Sequence, residues 1–375
     1  MNVASENPPP AARGRWLEAL ATLCLLVALP LAGLLAAGRP LAPYLEFPPR
    51  TRYVTHAPFS WPVFLVLAGV ILAVLWPFER RVFAARRAMP PEPAPARRFP
   101  AWGWAGVAFG LAAWLLAWTR FAWFRPWQPF TFTPLWIAYV VVVNAWTWRR
   151  TGHCLLRDRP RYLARLGALS AVFWWLFEYL NRFVQNWHYV GIAEMSPWQY
   201  ALFATLPFST VLPAVMSTAE LLGSIPRAGA GLDGFAPLRL RRPRPAAALA
   251  LLLAAAGLAG LGLWPDLLFP LLWVSPLLLL TALQALRGRP TIFDPIAAGR
   301  WRRLYLLAAA ALICGFFWEM WNYGSLAKWV YAVPFVHRFL LFEMPLLGYA
   351  GYLPFGLECA AAAEWAQPSA PSAAK

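Results

Sequence analysis

Lysine is nearly missing from this sequence: of 33 basic residues 31 are Arg, leaving only Lys328 and Lys375. Charge of either sign is sparse at 13% of 375 residues, and just 16 residues are acidic. The four cysteines, Cys24, Cys154, Cys314 and Cys359, show neither a disulfide framework nor zinc spacing. The histidines (His56, His153, His188, His337) never recur at helical spacing, so the sequence predicts no metal site, and no cofactor motif is present. The absence of Walker motifs excludes a self-contained ATP-driven pump.

What remains is apolar. Hydrophobic residues make up 60% of the chain, aromatics 16%, and the mean hydropathy is +0.51, the composition of a protein whose solvent is mostly lipid. The net charge of +17 does not signal nucleic acid, because the Arg residues are scattered over short loops between apolar runs rather than gathered on one face.

Apolar runs of about twenty residues, the length a bilayer requires, predict an all-α, polytopic transmembrane bundle of ten spans. The first covers Leu17 to Gly38, too long for a signal-peptide core and without a cleavage site. The others cover 60–78, 101–120, 132–148, 163–182, 198–221, 246–264, 267–286, 303–323 and 338–362. The loops after spans two, four, six and eight carry 6, 6, 5 and 5 basic residues when flanking turns are counted, against 3, 2, 1, 0 and 2 for the others. Cytoplasmic loops are the Arg-rich ones, so this alternation predicts a bacterial inner-membrane protein with both termini in the cytoplasm.

Two breaks divide the chain. The Pro-rich stretch 89–100, MPPEPAPARRFP, reads as a stiff cytoplasmic linker, and the Gly-, Pro- and Arg-rich stretch 223–245 as a second. They separate two leading helices (1–88) from two four-helix blocks (101–222 and 246–362), followed by a tail (363–375) predicted to be disordered. The blocks share landmarks in one order. Thr133-Pro134-Leu135 matches Ser275-Pro276-Leu277, Glu178-x-x-Asn181 matches Glu319-x-x-Asn322, Trp187-x-Tyr189 matches Trp329-x-Tyr331, Pro207 matches Pro345, and Glu220 matches Glu358. Four spans is an even number, so the copies are expected to be parallel repeats about an axis along the membrane normal.

Five carboxylates fall inside the expected spans: Glu178, Glu220, Glu319, Glu343 and Glu358. At membrane depth such groups face the bundle interior, pair or titrate. Glu178 with Asn181 and Glu319 with Asn322 each share a helix face near the outer surface, so these four are the candidate catalytic residues. Trp175, Trp321, Trp187, Tyr189, Trp329 and Tyr331, with Glu343 and Glu358, are the candidate substrate-binding set. Interfacial belts also concentrate Trp and Tyr, and a Glu-Asn pair also serves as interhelical glue. Repetition of the whole constellation is what belts alone do not require. Pro207, Pro213, Pro345 and Pro354 are expected to break spans six and ten.

An acid after aromatics, Trp-x-Tyr about nine residues on, then a helix with Pro and an acid, all in tandem parallel copies, resembles the repeat of integral-membrane lycopene cyclases and related carotenoid-biosynthesis proteins. The resemblance covers spans five, six, nine and ten. The chain has Glu where that family favours Asp, and it lacks the family's paired Pro-x-Glu-Glu. The resemblance implies acid-catalysed, redox-neutral rearrangement of an isoprenoid.

Three functions fit these residues. One is a membrane-embedded enzyme on a lipid or isoprenoid substrate, with a carboxyl as general acid and Trp and Tyr faces stabilising a developing cation. Another is a transporter or lipid flippase with proton-relay glutamates. The third is a non-catalytic scaffold whose buried polar groups specify packing. Membrane lipids are the expected partners, and nucleic acid is not one.

Overall fold

The computed structural model describes residues 12–49, 51–92, 95, 97–192 and 195–367. Its helices are α1 (Ala12–Ala36), α2 (Ala42–Leu45), α3 (Trp61–Ala88), α4 (Ala101–Trp118), α5 (Phe132–Thr151), α6 (Leu155–Asp158) and α7 (Pro160–Val184), then α8 (Pro197–Phe208), α9 (Val211–Gly223), α10 (Pro243–Gly260), α11 (Pro265–Leu268), α12 (Leu271–Leu286), α13 (Arg302–Gly324) and α14 (Tyr352–Ala363). Four short strands complete it: β1 (Trp187–Val190), β2 (Lys328–Tyr331), β3 (Leu340–Leu341) and β4 (Met344–Pro345).

Proline marks the first turn of α7, α8 and α10, where its missing N–H costs nothing. Gly152, left-handed at φ 81, closes α5. Among the described residues seven helical segments are long and apolar enough to cross a bilayer, α8 and α9 counting as one, and α5 with the bent turn before it, Ala122–Phe130, makes up to eight. The protein is a helical membrane protein.

The break expected in the sixth span falls at Ser209 and Thr210, between Pro207 and Pro213. Ser170 of α7 fills it, donating through Oγ to the Phe208 carbonyl at 2.5 Å and accepting from the Leu212 N–H at 3.0 Å. The Phe208 carbonyl and Leu212 N–H, which lose each other at the break, are thereby satisfied within the protein. The stretch 338–362, expected as one span, is instead a hairpin (β3, β4), a 3₁₀ turn (Leu346–Gly351) and only then α14. Pro345 has no N–H to donate, and Phe335, Phe339 and Phe342 all adopt positive φ, so the chain turns repeatedly before a helix can start. The tail begins ordered, with Ala366 buried, and residues 368–375 lie outside the described ones.

The core lies between α5, α7, α9, α12, α13 and α14, where Trp136, Phe177, Phe355, Leu212 and Leu272 are fully buried. Hydrogen bonds sort the loops into two ends. At one, the Arg-rich connections meet: Arg81 Nε donates to the Gly231 carbonyl, Arg86 Nε to that of Arg227, Arg150 Nε to Ser224 Oγ, and Arg302 Nε to the Ala228 carbonyl. At the other, the Arg52 N–H donates to Gln185 Oε1, His56 meets Asp266 at 2.6 Å, and the Ala332 N–H donates to the Asn186 carbonyl. The site is built at this second end.

Candidate functional site

Glu178 lies on the last turns of α7 and is fully buried. One turn later Asn181 builds the chain reversal. Its Nδ2 donates to the Trp187 carbonyl at 2.8 Å while its Oδ1 accepts the Asn186 N–H at 2.8 Å. Gln185, left-handed at φ 53, ends the helix, and β1 returns alongside it. Side chains two apart in a strand share a face, so Trp187 and Tyr189 reach Glu178 together. Trp187 Nε1 at 3.1 Å, Tyr189 Oη at 2.7 Å and Trp174 Nε1, one helical turn earlier, at 3.1 Å all donate to Glu178 Oε1. Oε2 is buried without a partner.

The end of α13 repeats this construction. Asn322 Nδ2 donates to the Trp329 carbonyl at 2.8 Å, and its Oδ1 accepts the Trp329 N–H at 2.9 Å. Tyr331 then donates to Oε1 of the fully buried Glu319 at 2.7 Å. Two details differ. Trp329 Nε1 donates to the Tyr331 oxygen at 2.9 Å rather than to the carboxylate. The position matching Trp174 is Gly315, whose missing side chain leaves room for Tyr352 of α14: a Cβ there would lie 2.4 Å from the Tyr352 ring. Tyr352 takes up the vacant donor role, its hydroxyl donating a hydrogen bond to Glu319 Oε1 at 2.7 Å.

The returning strands pair with each other, antiparallel, with Trp187 opposite Tyr331 and Tyr189 opposite Trp329. Burial first, and the neighbouring carboxylate second, push the phenols of Tyr189 and Tyr331 well above their ordinary range, so both remain protonated donors.

Beneath the strand pair are two apolar cavities. The first, about 90 Å³, is walled largely by rings, including Phe132, Trp174, Tyr189, Phe208, Trp318 and Trp329. The second, about 250 Å³, is walled by α3, α12 and the segment 333–354, with Asn186 at its edge. Trp187, Trp273, Tyr331 and Tyr352 belong to both walls and form the partition between them. Neither glutamate is itself a wall residue. Each stands directly behind the phenols that are.

Trp187, Tyr189, Trp329 and Tyr331 thus line the cavities, whereas Asn181 and Asn322 are engaged by backbone groups. Trp175 donates to Thr205 Oγ1 at 2.9 Å and packs on Phe208 and Tyr200. Trp321 packs on Trp114, Trp136 and Tyr139. Glu343 pairs with Lys328 at 2.5 Å, tying the β3–β4 hairpin to β2, and Glu358 is buried on α14 outside both cavity walls. Tyr352 carried no signal before the fold was known, because the position that the expected repeat aligns with it, Ala214, bears no functional group. Among the described residues no three His, Cys, Asp or Glu side chains cluster as metal ligands.

Compared with known protein families, curated proteins and solved structures, the chain matches none.

Proposed function

We propose that the protein is an inner-membrane enzyme performing acid-assisted chemistry on a lipid or isoprenoid substrate in the aromatic cavity. One observation carries this reading: two buried carboxylates, neither paired with a cation among the described residues, are each presented to the same ring-walled cavity through phenols at 2.7 Å. Aromatic faces attract positive charge, and a carboxylate behind them strengthens that field in a site that excludes water. Such a cavity suits a substrate that becomes cationic as it reacts. The Glu319 carboxyl with its Tyr331 and Tyr352 partners supplies a proton to a carbon–carbon double bond. Loss of a proton from a neighbouring carbon to the Glu178 cluster then completes a redox-neutral rearrangement, the chemistry that the likeness to carotenoid cyclases implies. Asn181 and Asn322 are positioning residues that fold β1 and β2 back over the carboxylates.

The wider architecture belongs to the same proposal. The recurrence of Glu, Asn, Trp and Tyr in one geometry supports a tandem duplication of 101–222 and 246–362, and the β1–β2 register is the one a two-fold axis between the copies would generate. The Arg-rich end is the cytoplasmic one, which puts the cavities toward the outer leaflet of a ten-segment bundle with both termini inside. The break between α8 and α9 favours transport as the second reading.

Untargeted lipid profiling of a deletion strain complemented with wild type, Glu178→Gln or Glu319→Gln tests the enzyme. Gln keeps the volume and a hydrogen-bonding oxygen but cannot exchange a proton. The expected result is a substrate that accumulates in the deletion and in both variants while the proteins insert normally. Accumulation on the wrong side of the membrane without chemical change would favour the transporter, and full complementation by both variants would leave a scaffold.

A further inference from the structure

The second cavity adjoins a helix attached in an unusual way. α3 has one buried residue, Val82, although it runs for 28 residues. It is held at its two ends. At the first, the Ser60 N–H donates to the Phe335 carbonyl at 2.9 Å and the Phe335 N–H to that of Ala57 at 3.2 Å, while Trp61 and Phe64 pack on Phe339. At the other, Arg81 and Arg86 bond to the 227–231 loop, and Tyr305 Oη donates to Glu79 at 2.9 Å. Between these anchors Leu67 and Ile71 face the second cavity, whereas Leu65 and Leu72 are 60% and 66% exposed on the outward side. A Cβ at Gly69 would touch nothing within 4 Å. The middle of α3 is therefore a loosely packed wall between the cavity and the surrounding lipid.

Size supplies the second argument. Small-molecule sites begin at about 300 Å³, and neither the 90 Å³ cavity nor the 250 Å³ cavity reaches that alone. Joined across their four-ring partition they do. The larger chamber is apolar except at Asn186 and the partition, and no charged side chain is in its wall among the described residues. It suits hydrocarbon and no polar headgroup.

We propose that the second cavity is a tail chamber for one hydrocarbon chain of a membrane lipid, entered sideways from the bilayer beneath the middle of α3, with the lipid's reacting end passing the partition into the aromatic cavity. At about 250 Å³ the chamber has no room for the two chains of a diacyl lipid. The choice of reacting end rests on the enzymatic reading above, while the chamber and its entrance do not.

The test uses full-length protein in lipid nanodiscs and two probes, hexadecanol and farnesol, each carrying a diazirine at the chain terminus. After irradiation and digestion, adducts are expected on the peptides holding Ile71 and 333–351, displaced by unlabelled hexadecanol. Ile71→Trp, which fills the chamber mouth, should lower the yield about tenfold. Leu72→Trp, one residue on and facing outward, should leave it within twofold and controls for folding and insertion. Adducts spread over the outward face of α3, or equal yields from Ile71→Trp and wild type, overturn the proposal. Glu319→Gln separates the two readings: labelling retained while turnover is lost supports both. Labelling with no lipid change in any strain leaves the chamber standing and the enzyme fallen, and turnover without chamber labelling does the reverse.

Discussion

Trp187 stands directly opposite Tyr331 in the antiparallel strand pair, so the indole that donates to Glu178 and the phenol that donates to Glu319 come from adjoining backbone positions 144 residues apart in sequence. The two carboxylate clusters are one structure. Substitutions in either should be felt at the other.

The Glu319 cluster offers a direct check. Tyr331 and Tyr352 share one buried carboxyl oxygen, and taking a partner from a buried acceptor costs about 1–3 kcal/mol. Tyr331→Phe and Tyr352→Phe should each destabilise the detergent-solubilised protein by about that amount. The double variant should lose measurably more than the sum, because it takes both phenolic donors from one buried oxygen. Thermal melts of the four proteins decide this, and strict additivity would mean that the phenols act independently.

Glycines that admit a neighbour should tolerate no methyl group. A Cβ at Gly356 would sit 2.1 Å from the Leu307 carbonyl oxygen, and one at Gly315 would meet the Tyr352 ring. Overpacking a fitted contact costs about 1–3 kcal/mol. Gly356→Ala should lower stability by at least that much by separating α13 from α14, while Gly315→Ala should in addition displace Tyr352 from Glu319 and reduce activity more than stability. Comparing residual activity with melting temperature distinguishes the two effects.

Orientation is open to reporter fusions. Junctions after Gly152, Ala230 and Pro290 should read cytoplasmic and those near Gln185 and Val333 should read external, in keeping with the two hydrogen-bonded ends of the bundle. A single reversed reporter breaks the scheme.

Cys154 lies in an Arg-rich connection, yet it is buried, and burial raises its thiol above the ordinary range. Maleimide labelling of the folded protein should therefore be slow at neutral pH and should accelerate only on denaturation. Fast labelling, judged against Cys154→Ser, would place the thiol at the surface.

Much of this site could be read before any coordinates, and the reason is periodicity. Glu and Asn three apart mark one helix face, and the recurring Trp-x-Tyr beyond each pair singled out the aromatic partners, but nothing in that spacing told that these segments return as paired strands. The Arg-rich loops likewise foretold which connections gather at one end. Tyr352 and the Trp174-for-Gly315 exchange escaped because they depart from the shared pattern, and a search for recurring residues shows only what recurs. The hairpin at 340–345 was hidden for another reason: Leu340, Leu341, Met344 and Pro345 extend an apolar run, and hydropathy does not separate a short hairpin from the start of a span.

The connector from Glu319 to Tyr331 is one residue longer than that from Glu178 to Tyr189, yet both phenols arrive 2.7 Å from their carboxylates. Connector length therefore does not aim these side chains; the pairing of β1 with β2 does. Deleting Val330 would turn alternate side chains on β2 to the opposite face and take away the register against which β1 is held. The two clusters would then fail together, so a change in either strand is answerable to the other.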